Sequence, residues 1–259
     1  MRFDGLNFEV FNRANTPELP SAAVVNLHLD RKDRLWVSTL QGLVVREGNQ
    51  WRRIDAASGG DNDFVRTFTE RPNGDLLLTL SRGAIFEQTK KGLARLPSPP
   101  GLTNGGFLGG CDEDGRWWAA QTQFVGTWDG QRWVPETSVT SIPASTGSAF
   151  GFAPARDGGL WLVVSNDLRK YSHGKLVSVR PIPNDGDQSL GSISGMNEDS
   201  TGNVWIASYD AGLTQVLPQG GLRRWNATNG LGYKDVRFTF EDQEKNLWIG
   251  TSGGGLQRF

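Results

Sequence analysis

The sequence predicts an all-β chain, a six-bladed β-propeller of four-stranded antiparallel blades forming one domain over residues 1–259. Three observations predict it. A short phrase recurs six times at nearly constant spacing, turn-forming residues bracket every copy, and no copy carries a sustained 3.6-residue apolar period. The phrase is "DRLWVST" at Asp33 to Thr39, and it returns as "GDLLLTL", "GRWWAAQ", "GGLWLVV", "GNVWIAS" and "KNLWIGT". Its anchor residues are Trp36, Leu77, Trp118, Trp161, Trp205 and Trp248, separated by 41, 41, 43, 44 and 43 positions. A repeat of ~40–45 residues with four short strands is the propeller pattern.

The first repeat reads as "VVNLHL" (Val24 to Leu29), the turn "DRKD", "LWVST", a Gln41-Gly42 turn, "LVVRE", a Gly48-Asn49 turn and "WRRID". Equivalent turns "PNGD", "DEDG", "RDGG", "STGN" and "QEKN" offer the Asn, Asp and Gly that tight hairpins require. The anchor on the second strand fills the wedge where neighbouring sheets diverge. The ends share one phase of the repeat, since aligning Phe8 with Trp51 sets Phe3 on Arg46, and aligning Leu256 with Leu43 sets Phe259 there too. The expectation is a ring closed by the N-terminal strand, with Leu6 to Phe11 completing the last blade as its outermost strand.

Composition agrees with a turn-rich repeat. The 34 Gly residues are about twice the ~7% of average proteins, and 10 Trp stand beside 2 Met. A net charge of −1 without long basic runs predicts no nucleic-acid partner. A single cysteine, Cys111, excludes an intrachain disulfide and a Cys/His metal cluster. No apolar stretch approaches the ~20 residues of a spanning helix, and the first ten residues lack a signal-peptide pattern, so no membrane contact is expected within these residues.

Two stretches carry a family resemblance: "NLWIGTSGGGLQRF" (Asn246 to Phe259) and "GNVWIASYDAGLTQV" (Gly202 to Val216). Both resemble the two-component regulator propeller repeat. The resemblance covers all six repeats and is sharp in the first, fifth and sixth. The second repeat has Leu77 for the tryptophan, and the third and fourth diverge after it. The resemblance implies the extracytoplasmic, periplasmic sensor region of a hybrid histidine kinase or related receptor, often responsive to carbohydrate. Members of that family commonly carry blades in sevens and continue into a β-sandwich, a membrane helix and a kinase, which would be the neighbouring receptor domains.

Ligands of propellers gather where interblade loops and second-to-third-strand turns share a face. The long interblade segments here are Asn12 to Ala22, Ala56 to Asp63, Pro97 to Gly106, Pro135 to Ser148, Pro181 to Gly191 and Asn226 to Asp235. Near them an inner-strand column reads Val25, Arg66, Phe107, Phe150, Ser194 and Arg237. The candidate ligand site is Arg66, Arg237, Phe107 and Phe150, with Tyr209 and Asp210 in the turn "SYDAG" and Tyr233 with Lys234 in the last loop. Guanidinium groups and rings suit an anionic molecule or an oligosaccharide. The plainer alternative pairs Arg66 and Arg237 with Asp63 and Asp235 and packs the phenylalanines between blades.

Catalysis has weaker support, and no cofactor or metal is expected. The two histidines are His28, in an inner strand, and His173, in the hairpin "SHGK", so a triad would need one of them. Neither "DEDG" nor "NDGD" has calcium-loop spacing, and "SGGG" lacks the lysine of a phosphate loop. The leading expectation is a noncatalytic sensor or ligand-recognition propeller. One alternative is a propeller lyase or lactonase of the streptogramin-lyase or gluconolactonase type, with an axial metal drawn from Glu70, Glu198 and Glu241. Another is a protein-interaction ring.

Overall fold

The computed structural model describes residues 2–3, 6–54, 63–90, 92–100, 108–121, 124–136, 150–164, 166–183 and 190–259. All regular structure among them is β, and no helix is long and apolar enough to cross a membrane. The protein is a six-bladed β-propeller in class, its blades antiparallel sheets in simple up-and-down order. Contacts gather into two compact units, residues 1–109 and 110–259.

The first unit holds a hairpin of β1 (Arg2–Phe3) and β2 (Phe8–Glu9). The first blade follows with β3 (Val24–Leu29), β4 (Arg34–Thr39), β5 (Gly42–Glu47) and β6 (Gln50–Ile54). The second blade has β7 (Val65–Glu70), β8 (Leu76–Leu80), β9 (Ile85–Thr89) and β10 (Gly92–Leu96). The third blade begins at the unit boundary with β11 (Leu108–Cys111) and continues through β12 (Trp117–Gln121), β13 (Phe124–Trp128) and β14 (Trp133–Pro135). In the second unit the fourth blade is β15 (Phe150–Pro154), β16 (Leu160–Val164), β17 (Asp167–Ser172) and β18 (Lys175–Pro181). The fifth is β19 (Ile193–Glu198), β20 (Val204–Ser208), β21 (Gly212–Val216) and β22 (Leu222–Trp225), and the sixth is β23 (Val236–Glu241), β24 (Leu247–Thr251) and β25 (Leu256–Arg258).

Why each blade starts where it does follows from one carboxylate. Asp199 directly follows β19, accepts the backbone N–H groups of Thr201 and Asn203 at 2.9 Å, and takes the Trp205 indole N–H at 2.7 Å. Asp30, Asp112 and Asp242 do the same for Trp36, Trp118 and Trp248, always six positions on. A capped turn thereby fixes the register of the second strand and supplies the one polar atom of a buried indole with an acceptor. The second blade lacks both partners together. Arg71 stands at the carboxylate position and Leu77 at the indole position, and Leu77 is fully buried with nothing left to satisfy. The fourth blade keeps Trp161 but has Ala155, and its indole N–H goes instead to Glu198 of the fifth blade at 3.0 Å. There Gly158 and Gly159 adopt φ of 89° and 94°, and backbone hydrogen bonds between Ala155 and Gly158 and Gly159 close the turn in place of the missing carboxylate. A Cβ on Gly159 would lie 2.3 Å from the Tyr171 carbonyl oxygen, so a side chain has no room.

The anchors then build the core between blades. Trp36 packs with Val45, Leu76, Leu78 and Phe86, Trp118 with Leu160, Leu162 and Tyr171, and Trp205 with Leu213, Leu231, Val236 and Ile249. Glutamates at the ends of inner strands add polar clamps. Glu70 accepts the Arg31 N–H, Glu198 the Arg156 N–H and Glu241 the Ser200 N–H, each from the turn of the preceding blade.

The N-terminal segment differs from the expected outer strand. Among the described residues the sixth sheet has three strands, and Phe8–Glu9 pairs with Arg2–Phe3. The hairpin nevertheless has the register of a blade's outer half, since Phe3 faces Phe8 as Arg46 faces Trp51. Its exit loop repeats the loop after the fifth blade. Asn12 accepts from Ala14 N and Asn15 donates to Val10 O, while Asn226 accepts from Thr228 N and Asn229 donates to Arg224 O. Phe11 lies 5.3 Å from the Arg46 guanidinium, and Trp225 lies 4.7 Å from Phe259 at the matching positions. So Phe11, just after β2, sits against the first blade as Trp225, at the end of β22, sits against the sixth.

Two outcomes are expected of the clamp. Asp199→Ala leaves a buried indole N–H without an acceptor and should cost about 1–3 kcal/mol, read as a lower urea midpoint, whereas Arg71→Ala in the clampless blade should cost less. Burial pushes the Asp199 and Asp30 carboxyls up, but the hydrogen bonds they accept outweigh it and leave both below the ordinary value of 3.8. The hydrogen bonds from Asn246 and Trp248 hold Asp242 at about 2. Depressed carboxylates stabilise the fold above their unfolded pKa and lose that contribution as pH falls through the folded one. Thermal melts should therefore be level above about pH 5 and fall steeply from about pH 4 toward 2.

Candidate functional site

The inner-strand column has a structural cause invisible in the sequence. The pairing of β3, β7, β19 and β23 with their neighbours skips one residue near the start of each: Val25, Arg66, Ser194 and Arg237. These are β-bulges, which bend a strand and re-aim the extra side chain. The fourth blade pairs without a skip from Phe150 to Pro154. Phe107 lies outside the described residues, as do loop segments 56–62, 101–106, 137–148 and 184–189; of Phe150 only the backbone is described.

In the second unit the fifth and sixth blades bring several candidates together. Tyr209 heads the β20–β21 turn, held by its N–H to the Ser192 carbonyl at 3.0 Å. The Arg237 guanidinium lies 4.7 Å from the Tyr209 ring centroid, a cation–π distance. Arg237 is also gripped by Asp235, with Nε to Oδ1 and Nη2 to Oδ2 both at 2.9 Å. The Arg237–Asp235 half of the plainer alternative is thus present, and it orients the guanidinium over the ring rather than removing it from the surface. Asp210 accepts the Ser192 N–H at 3.1 Å, and the Lys234 carbonyl takes the Gly212 N–H at 3.0 Å. Tyr233 is 45% exposed and Tyr209 38%. The "SGGG" turn closes on Tyr233: a Cβ on Gly254 would come within 2.6 Å of the Tyr233 Cβ. The result is a guanidinium pre-oriented on the Tyr209 ring, with the half-exposed Tyr233 and the carboxylate of Asp210 on turns and loops of the same two blades.

Arg66 belongs to the first unit, where it is exposed and its carbonyl accepts the Asn26 side-chain N–H at 2.7 Å. Asp63 is engaged elsewhere, by Ser81 Oγ and Arg82 N, so the other half of that alternative does not form.

The residues considered for catalysis are structurally engaged. His28 stacks on Phe68 at 5.6 Å and lies 3.7 Å from Glu70. Burial lowers its pKa more than Glu70 and Asp30 raise it. His173 is exposed, at φ 48°, with Nδ1 2.9 Å from Asp114. Glu70, Glu198 and Glu241 spend their carboxylates on neighbouring turns, and among the described residues no three His, Cys, Asp or Glu side chains gather as metal ligands.

No family model and no curated protein matches the chain. Solved structures do. The chain is similar to the extracellular domain of a putative one-component system, BT4673, from B. thetaiotaomicron, at 14% identity and TM-score 0.59 over 92% of this chain and 38% of that one. It is similar to PorZ, a bacterial surface component of the type-IX secretion system of Porphyromonas gingivalis, at 14% identity and TM-score 0.62 over 91% and 38%. It is also similar to YCF48 bound to D1 peptide, at 12% identity and TM-score 0.58 over 93% and 82%. The chain spans less than two fifths of the first two proteins. At these identities the likeness establishes the propeller fold.

Hydrogen bonding to Asp114 raises the His173 pKa above 6.5, with the Asp114 and Glu113 charges adding to it. An NMR titration should show His173 protonating above the ordinary histidine value, and Asp114→Asn should move it back down.

Proposed function

We propose that this chain is a noncatalytic recognition propeller, the sensor-type module of an extracytoplasmic receptor, taking a small molecule or oligosaccharide on its loop face. One observation carries the reading: Arg237, aimed by a bulge and by Asp235, lies over the half-exposed ring of Tyr209. A guanidinium fixed on an aromatic face suits a ligand with hydroxyl or carboxylate oxygens on one side and a flat apolar surface on the other. Likeness of fold to the BT4673 extracellular domain supports a sensor role and a location outside the cytoplasm. Arg66, at the equivalent bulge of the second blade, is proposed as a further ligand group, along with Phe107, Phe150, Asp210 and Lys234. The engagement of Glu70, Glu198 and Glu241 in interblade clamps disfavours the lactonase alternative.

Calorimetry against a panel of neutral and uronate-containing oligosaccharides tests the reading. Arg237→Ala or Tyr209→Ala should weaken a binding member of the panel roughly tenfold, in keeping with about 1–2 kcal/mol for a partly desolvated cation–π contact. Arg132→Ala, on an exposed outer turn, should leave it unchanged. Affinity indifferent to Arg237, Tyr209 and Arg66 would remove the loop face from consideration.

A further inference from the structure

A guanidinium carries five N–H donors in a rigid plane, so that more than one of its edges can take a carboxylate. Arg116 is used in this way. Its Nε lies 3.3 Å from Asp112 Oδ2 and its Nη2 donates to Asp114 Oδ2, so one guanidinium serves two acids. Arg237 serves one. Its Nε lies 2.9 Å from Asp235 Oδ1 and its Nη2 donates to Asp235 Oδ2 at 2.9 Å, which fills the side edge alone. One hydrogen on Nη2 and both on Nη1 remain, and among the described residues nothing accepts them. That end edge presents two parallel N–H groups, the pattern that fits a carboxylate.

The acid next to the Tyr209 ring does not fill the edge. Asp210 accepts the Ser192 N–H at 3.1 Å and packs so closely on the fifth blade that a Cβ at Gly191 would clash with its carboxylate. Arg237 is also held in place from three sides. Asp235 grips one edge, the Tyr209 ring centroid lies 4.7 Å from the guanidinium, and the Val236 carbonyl just before it accepts the Ser194 hydroxyl at 2.6 Å. Ser194 is itself the extra residue of the fifth blade's bulge, so the bulges of the two blades are tied together. A donor pair ordered beforehand loses little freedom when it binds.

Charge then selects among ligands. Asp235 already offsets the Arg237 charge, so a doubly charged phosphate brings excess repulsion. A single carboxylate brings two acids to one guanidinium, the number that Arg116 sustains. A neutral sugar offers hydroxyls, which gain less from a charged donor than a carboxylate does.

We propose that this site takes an acidic sugar, a uronic acid whose carboxylate is gripped end-on by Nη1 and Nη2 of Arg237 while Asp235 holds the other edge. The inference rests on the recognition reading above and narrows it from oligosaccharides at large to those that carry a carboxylate.

Calorimetry on the full chain with matched pairs tests it. Each uronate oligosaccharide is set beside its carboxyl-reduced counterpart, in which the carboxylate has become a hydroxymethyl group and nothing else has changed. A uronate that binds should do so about tenfold to a hundredfold more tightly than its reduced partner, the range for hydrogen bonds to a charged group. Arg237→Lys keeps the charge and loses the fork, so with unchanged thermal melts it should abolish most of that preference. Equal affinity within a pair, both members being weakened by Arg237→Ala, would overturn the carboxylate assignment and leave the site standing. A preference that survives Arg237→Lys would overturn the paired grip, and tighter binding of a 6-phosphorylated sugar would overturn the charge argument. Binding by no pair would overturn both the assignment and the reading on which it rests.

Discussion

A carboxylate accepting an indole N–H six residues later is the interaction on which the rest of this protein depends. Taken singly it is an ordinary charge-assisted hydrogen bond, worth about 1.5–3 kcal/mol net. Its position gives it wider effect. Asp30, Asp112, Asp199 and Asp242 each cap a turn, set the register of the strand that follows, and supply the acceptor of a tryptophan indole, buried at Trp36, Trp118 and Trp205 and partly buried at Trp248. Without an acceptor, a buried indole N–H carries a desolvation cost that offsets part of what its rings contribute. The two departures obey the same rule. The second blade drops acid and indole together, and the fourth replaces the lost acid with a glutamate from its neighbour.

Much of this was legible from the sequence because the repeat is periodic in one rare residue. Trp36, Trp118, Trp161, Trp205 and Trp248 fixed the blade count, and the first-repeat strands read from the sequence coincide closely with β3 to β6. The Asp–Trp spacing was equally present in the letters, but it yields a hydrogen bond only once a turn folds the acid back onto the second strand. The N-terminus was read correctly in phase and differently in partner. Phe3 does face Phe8 in the register of a third and fourth strand, while the neighbour of Phe8–Glu9 is Arg2–Phe3 rather than β25.

The candidate site was half visible for a related reason. Counting back from the anchors located Arg66, Ser194 and Arg237 in one column. Counting could not reveal that each is the unpaired residue of a bulge, because a bulge is a property of two strands together. Nor could it distinguish Asp235, which grips Arg237, from Asp63, which serves Ser81 and Arg82. The same scaffold that tolerates these irregular starts keeps the opposite ends of its strands uniform, because there the clamp leaves no freedom.

The central claim is that acid and indole act as one unit. A double-mutant cycle of Asp199→Ala and Trp205→Phe, followed by urea unfolding, measures this directly. The account predicts a coupling of about 1–3 kcal/mol, with the aspartate change nearly harmless once the indole N–H is gone. Stability losses that simply add, within about 0.5 kcal/mol, would contradict it.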